Sequence, residues 1–134
     1  MTKEEKDLLI KELCSRLPYG VKVLCLRDFN HDWYNLEMVD IGDNEVYVTT
    51  YESYANRYVK IEEVKPYLFP LSSMTEEQRK EWQSLMTQDS YGILYHTIES
   101  YDYLNKNHFD YRGLIEKGLA IDVTELTGLN IYKV

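Results

Sequence analysis

The chain has little of what most catalytic and metal-binding families depend on. Its 134 residues include two cysteines, Cys14 and Cys25, eleven positions apart. That spacing is neither a C-x-x-C metal pair nor a secreted disulfide framework, so both read as buried thiols. The six glycines are scattered. None forms a glycine-rich loop ahead of a helix to cradle a phosphate, and there is no G-x-S-x-G elbow to present a nucleophile. Apolar runs such as Val21 with Val23 to Leu26 fall far short of the roughly 18 to 20 residues that a membrane span requires. The opening Met1-Thr2-Lys3-Glu4-Glu5-Lys6-Asp7 mixes both charge signs where a secretion signal would be apolar, which implies a cytoplasmic protein with no membrane role. No basic run exceeds Arg79-Lys80, and without clustered cations to replace condensed counterions direct nucleic-acid binding is not expected. Internal repeats and low-complexity stretches are also missing.

What is present describes one globular domain over residues 1–134. Hydrophobic residues make up 44% and charged residues 28%, with a net charge of −8, enough apolar content for a core without disulfides or metal. The acidic excess is spread evenly, −4 in residues 1–67 and −4 in residues 68–134, so there is neither an acidic tail nor a basic arm.

Periodicity predicts an α+β fold. Residues 3–17 place Leu8, Leu9, Leu13 and Leu17 near one face, with Lys3, Glu4, Lys11 and Glu12 elsewhere, as in an amphipathic helix stopped by Pro18-Tyr19-Gly20. About four antiparallel strands follow within residues 20–65: one from Val21 covered on both faces, a hairpin through Gly42-Asp43-Asn44, and one over residues 58–64. The prolines of Lys65-Pro66-Tyr67-Leu68-Phe69-Pro70 argue for a crossover connection rather than a central strand. Thr75 with Gln78 three positions on is a capping box that starts a helix. A second helix is expected from Ser90 to Asn105 with Leu94, Ile98, Tyr101 and Leu104 inward, so that residues 75–105 are helical and 106–134 form a short terminal segment. The strands suit either a small SH3-like barrel or an open twisted sheet.

Candidate chemistry is sparse. His31-Asp32 reads as a solvated loop and His96 as a helix-surface residue. His108 and Asp110 would point the same way on an extended backbone, yet two ligands do not make a metal site, and no third stands at ligand spacing. Adjacent carboxylates such as Glu62-Glu63 and Glu76-Glu77 diverge or stay solvated. No catalytic residue, metal or cofactor is therefore assigned. The distinctive feature is thirteen tyrosines against three phenylalanines and two tryptophans. Tyrosine buries a large area while keeping a wet hydroxyl, which suits either a core edge or a protein-binding face around Trp33, Tyr34, Tyr51, Tyr54 and Tyr58. His108-Phe109-Asp110-Tyr111-Arg112 gathers an imidazole, a carboxylate, aromatics and a guanidinium ahead of Gly113, and reads equally as a binding segment or as a structural pair of Asp110 with Arg112.

At Leu17-Pro18-Tyr19-Gly20-Val21, Val64-Lys65-Pro66-Tyr67-Leu68, Leu71-Ser72-Ser73-Met74-Thr75 and Asn107-His108-Phe109-Asp110-Tyr111-Arg112-Gly113-Leu114-Ile115, the chain resembles an uncharacterised small-protein family of Bacteroides phages and prophages. The resemblance covers most of the chain and carries no activity, cofactor or catalytic residue; it implies an accessory protein made during phage or prophage expression. With it, the expected function is a small non-enzymatic binding or regulatory protein that contacts a host or phage protein, with self-association also open. Two alternatives stand beside it: an acidic nucleic-acid mimic that blocks a nucleic-acid-binding protein, and a small enzyme using His108 with Asp110.

Overall fold

The computed structural model describes residues 1–27, 32–50, 55–126 and 131–132. The first helix, α1 (Lys3–Arg16), begins at a capping box in which the Thr2 hydroxyl accepts the Glu5 N–H and the Glu5 carboxylate accepts the Thr2 N–H. A 3-10 turn over Leu17–Tyr19 ends at Gly20 in the left-handed region, with φ 70°, which turns the chain into β1 (Lys22–Cys25). β2 (Tyr34–Asp40) and β3 (Glu45–Thr49) form the expected hairpin, whose turn contains Asn44 at φ 58°. β4 (Arg57–Lys60) completes an antiparallel run in the order β4-β3-β2-β1.

β5 (Val64–Pro70) then corrects the reading of residues 65–70 as a crossover, because it is a strand of the sheet paired with three others. It pairs antiparallel with β1 and parallel with both β8 (Phe109–Asp110) and β9 (Ile121–Asp122). Both prolines fit because their missing donors fall where no ladder bond is needed. The Leu26 N–H donates to Glu63 O at 2.8 Å, so alternation along the antiparallel pair makes Val23 and Pro66 a non-hydrogen-bonded pair. Pro66 also precedes the first β9 partner, at Tyr67, while Pro70 lies beyond the end of β1 and closes the strand. The strand expected over residues 58–64 is split, since a 3-10 turn at Ile61–Glu63 separates β4 from β5.

Residues 75–105 are not wholly helical. α2 (Glu76–Ser84) starts at its Thr75–Gln78 capping box, but a small hairpin of β6 (Thr87–Gln88) and β7 (Leu94–Tyr95) follows before α3 (Ile98–Lys106). The sequence supplies three causes. Asp89 accepts the N–H groups of Tyr91 and Ile93 in a tight turn, Gly92 takes φ 84°, and Thr97 with Ser100 builds a capping box that starts the helix eight residues later than the expected Ser90. Of the four side chains expected inward, only Leu104 is buried; Leu94, Ile98 and Tyr101 face solvent.

The sheet stays open and mixed, with α1 on one face. Leu9, Leu13, Val21, Val23, Val48, Ile61 and Leu68 fill the principal core between them, joined by Leu114 and Leu119. On the opposite face Leu24, Trp33, Tyr67, Val123 and Ile131 pack together, so β1 and β5 are covered on both sides. A third cluster of Met74, Leu104 and Phe109 seats α2 and α3. Cys25 is buried, but Cys14 faces solvent on α1, which corrects the expectation of two buried thiols. Glu12, expected away from the leucine face of α1, is fully buried together with Arg16.

Candidate functional site

The segment after α3 is where sequence and structure separate most. His108 follows the helix cap Asn107 with φ 62°, a left-handed conformation that glycine usually occupies at this place. Its carbonyl accepts the Phe69 N–H at 2.8 Å and so starts the β5–β8 ladder. The left-handed residue breaks the two-residue alternation on which the shared direction of His108 and Asp110 depended. Asp110 turns instead to the following bend, where its two oxygens accept the Leu114 N–H at 3.0 Å and the Ile115 N–H at 2.9 Å. Arg112 reaches the opposite way, donating to Glu12 at 3.0 Å and to the Ser15 hydroxyl at 3.2 Å, and stacks on Tyr111 with its guanidinium 4.8 Å from the ring centroid. The Tyr111 hydroxyl donates to the Asn105 side chain.

Arg112 thereby completes a buried charge cluster. The Arg16 guanidinium, with no exposed surface, donates to Glu12, to the Phe109 carbonyl and to the Leu104 carbonyl. Two arginines sharing one carboxylate, with backbone carbonyls taking further donors, is the arrangement in which buried charge is tolerated. Glu12 and Arg112 thus hold the last third of the chain to α1, while Asp110 braces the bend at Leu114 and Ile115.

The His108 imidazole lies apart from them, only 8% exposed and stacked on Tyr132 with ring centroids 3.8 Å apart at 15°. Its Nδ1 is enclosed without a hydrogen-bond partner. Burial, with lesser repulsion from Arg16 and Lys22, lowers its pKa to about 4, so the ring is neutral at pH 7. The Tyr132 hydroxyl bonds to the backbone of Lys22 and Tyr67, and burial raises its pKa. His108 and Tyr132, with Phe69 and Phe109, form the aromatic wall of a cleft of about 640 Å³ whose polar rim includes Gln78, Lys106 and Asn107. No side chain among the described residues lining this cleft is a carboxylate. Without a carboxylate on His108, the proton relay that an enzyme would draw from the pair is not assembled. Among the described residues no three His, Cys, Asp or Glu side chains are placed to hold a metal ion.

A second feature is an exposed apolar surface. Tyr91, Ile93, Leu94, Tyr95, Ile98 and Tyr101 all come from the hairpin and the start of α3, and all are exposed, Tyr91 at 88% and Ile98 at 77%. Asp89 braces the finger by accepting the N–H groups of Tyr91 and Ile93 and the Tyr95 hydroxyl. Those bonds hold its carboxyl below the usual carboxylate range. At the base, exposed His96 stacks on Tyr101 at 4.6 Å and tilts against Trp82, whose Nε1 is enclosed and unpartnered. Residues 87–105 carry three carboxylates, Asp89, Glu99 and Asp102, and no lysine or arginine.

The tyrosine-rich surface expected near residues 33–58 divides differently. Tyr34 is fully buried in the principal core, so it offers no contact surface. Trp33 packs on the second core with the Lys22 ammonium 4.1 Å above its ring. Tyr58 is exposed and pairs with Tyr47, ring centroids 4.9 Å apart. His31, Tyr51 and Tyr54 lie outside the described residues. The surface at residues 91–101 was hidden in the sequence because its apolar spacing also matches the inward face of a helix. Gly92 beside Tyr91 and Asp89, a turn signal inside that pattern, marked the break.

No family model, curated protein or solved structure matches the chain.

Proposed function

We propose that the chain is a non-enzymatic protein-binding module and that the hairpin at residues 87–95, with the first turn of α3, is its contact surface. The observation that carries the reading is the concentration of six exposed large apolar side chains within residues 91–101. Tyrosine and isoleucine on a braced finger supply much buried area at low ordering cost, and an acidic rim around an apolar centre has the anatomy of a specific interface. The partner that fits is a different protein with an apolar groove edged by lysine or arginine. Two copies meeting through this face would set Glu99 and Asp102 against the same acidic segment, which disfavours a symmetric dimer here. The resemblance to small phage and prophage proteins supports looking for that partner among the proteins of an infected host or of the phage itself. The alternative of an acidic nucleic-acid mimic lacks such an apolar centre as its anchor. Among the described residues no helix is long and apolar enough to cross a membrane.

The test is a paired capture from host extract with the wild-type chain and the Ile93→Ser/Ile98→Ser variant as baits. The expected result is a partner retained in stoichiometric amount by the wild type and lost by the variant, with association slowing as salt rises. Equal retention by both baits, or no retained protein, overturns the proposal.

A further inference from the structure

Apart from the hairpin, we infer that the cleft beside the end of α3 is a binding site for a small aromatic carboxylate. Its first support is a residue held at a conformational cost. His108 sits at φ 62°, where glycine is cheaper, and a non-glycine residue kept there points to a use for its side chain. The second is the tautomer that burial selects in that same side chain. Nδ1 is enclosed with no partner, and an orphaned buried N–H is rarer than an orphaned acceptor, so the neutral ring carries its proton on Nε2. Because His108 lines the cleft while Nδ1 is sealed, the ring presents its remaining edge, which carries that Nε2–H donor.

The third support is charge. In a chain of 23 acidic and 15 basic residues, this cleft is rimmed by the Lys106 ammonium and by no described carboxylate. A carboxylate on the ligand accepts from Nε2–H and faces Lys106, two interactions that reinforce each other in a partly desolvated site. The neighbouring Phe69, Phe109 and Tyr132 continue the same wall as an apolar, aromatic surface that takes a flat ring in tilted or offset contact. At about 640 Å³ the cleft lies within the size range of small-molecule sites.

The experiment is nitrogen-15 NMR of the full chain titrated with benzoate, phenylacetate and indole-3-acetate, each beside its neutral amide. At least one acid is expected to shift the amides of residues 106–109 and the His108 Nε2 signal saturably below about 10 mM, with its amide at least about tenfold weaker. Lys106→Gln, at an exposed position, is expected to weaken the acid about tenfold and leave the amide unaffected, and His108→Asn, which tolerates the left-handed backbone, to weaken both. The Ile93→Ser/Ile98→Ser variant should bind as the wild type does, which separates this site from the hairpin. Absence of saturable shifts with all three acids, equal binding of acid and amide, or shifts confined to residues 91–101 overturns the inference.

Discussion

His108 shows how one backbone angle redirects chemistry. Its sequence neighbour Asp110 is the partner that an extended chain would give it, yet φ 62° at His108 sends the carboxylate to the N–H groups of Leu114 and Ile115 and leaves the ring against Tyr132. The ring's pKa falls from 6.5 to about 4 on folding, so between those values the unfolded chain binds the extra proton and stability rises with pH. Above pH 7 both states are neutral and the term vanishes; below about 4 it is fully expressed, as a loss of about 3 kcal/mol. Melting temperatures of the wild type and His108→Asn across pH 4 to 7 check this, with the variant expected to lose less stability on acidification. The sequence disclosed that 108–112 was chemically dense. It could not disclose a left-handed residue at histidine, because side-chain identity constrains φ weakly outside glycine and proline.

Among the elements, α1, the β2–β3 hairpin and the start of α2 were legible because each is announced locally: an amphipathic run stopped at Pro18-Tyr19-Gly20, a Gly42-Asp43-Asn44 turn, a Thr75–Gln78 pair. β5 was not, because a proline's tolerance in a strand depends on which way its nitrogen points, and that is set by partners as distant as Phe109 and Ile121. The β6–β7 hairpin was misread for a related reason, as its apolar residues satisfy two periods at once. Its dependence on Gly92 is direct. Alanine there meets only Gln88 Nε2 at 3.5 Å, an ordinary contact, so the penalty comes from φ 84° and amounts to about 1 kcal/mol. Gly92→Ala is expected to open the hairpin several-fold more often, read as faster hydrogen exchange at the Asp89 and Gly92 amides, while the melting temperature of the main sheet stays put. Slower capture of the partner by this variant would accompany it.

At the scale of the molecule, the Glu12 cluster joins what the sequence keeps apart. Arg112 and Glu12 stand 100 positions apart, and neither burial nor pairing of Glu12 could be read from a helix face that otherwise alternates normally. Glu12→Ala leaves Arg16 buried without its carboxylate, at an expected cost of about 3–5 kcal/mol. Urea denaturation followed by fluorescence and by circular dichroism checks this, with both probes expected to move together to a lower midpoint because the cluster ties α1, α3 and β8 into one unit.

That same tie orders events during synthesis. Once α1 is made, Arg16 finds the carbonyls of Leu104 and Phe109 only 88 and 93 residues later, and the Lys22 N–H waits 110 residues for the Tyr132 hydroxyl. Contacts that span nearly the whole chain make folding slow and late, since loop closure comes before any of its rewards. The domain therefore closes only once Leu104, Phe109 and Tyr132 have been made. A chain cut short before Leu104 leaves the Arg16 guanidinium without its backbone acceptors and β5 without β8 and β9, which quality control would meet as a substrate for degradation.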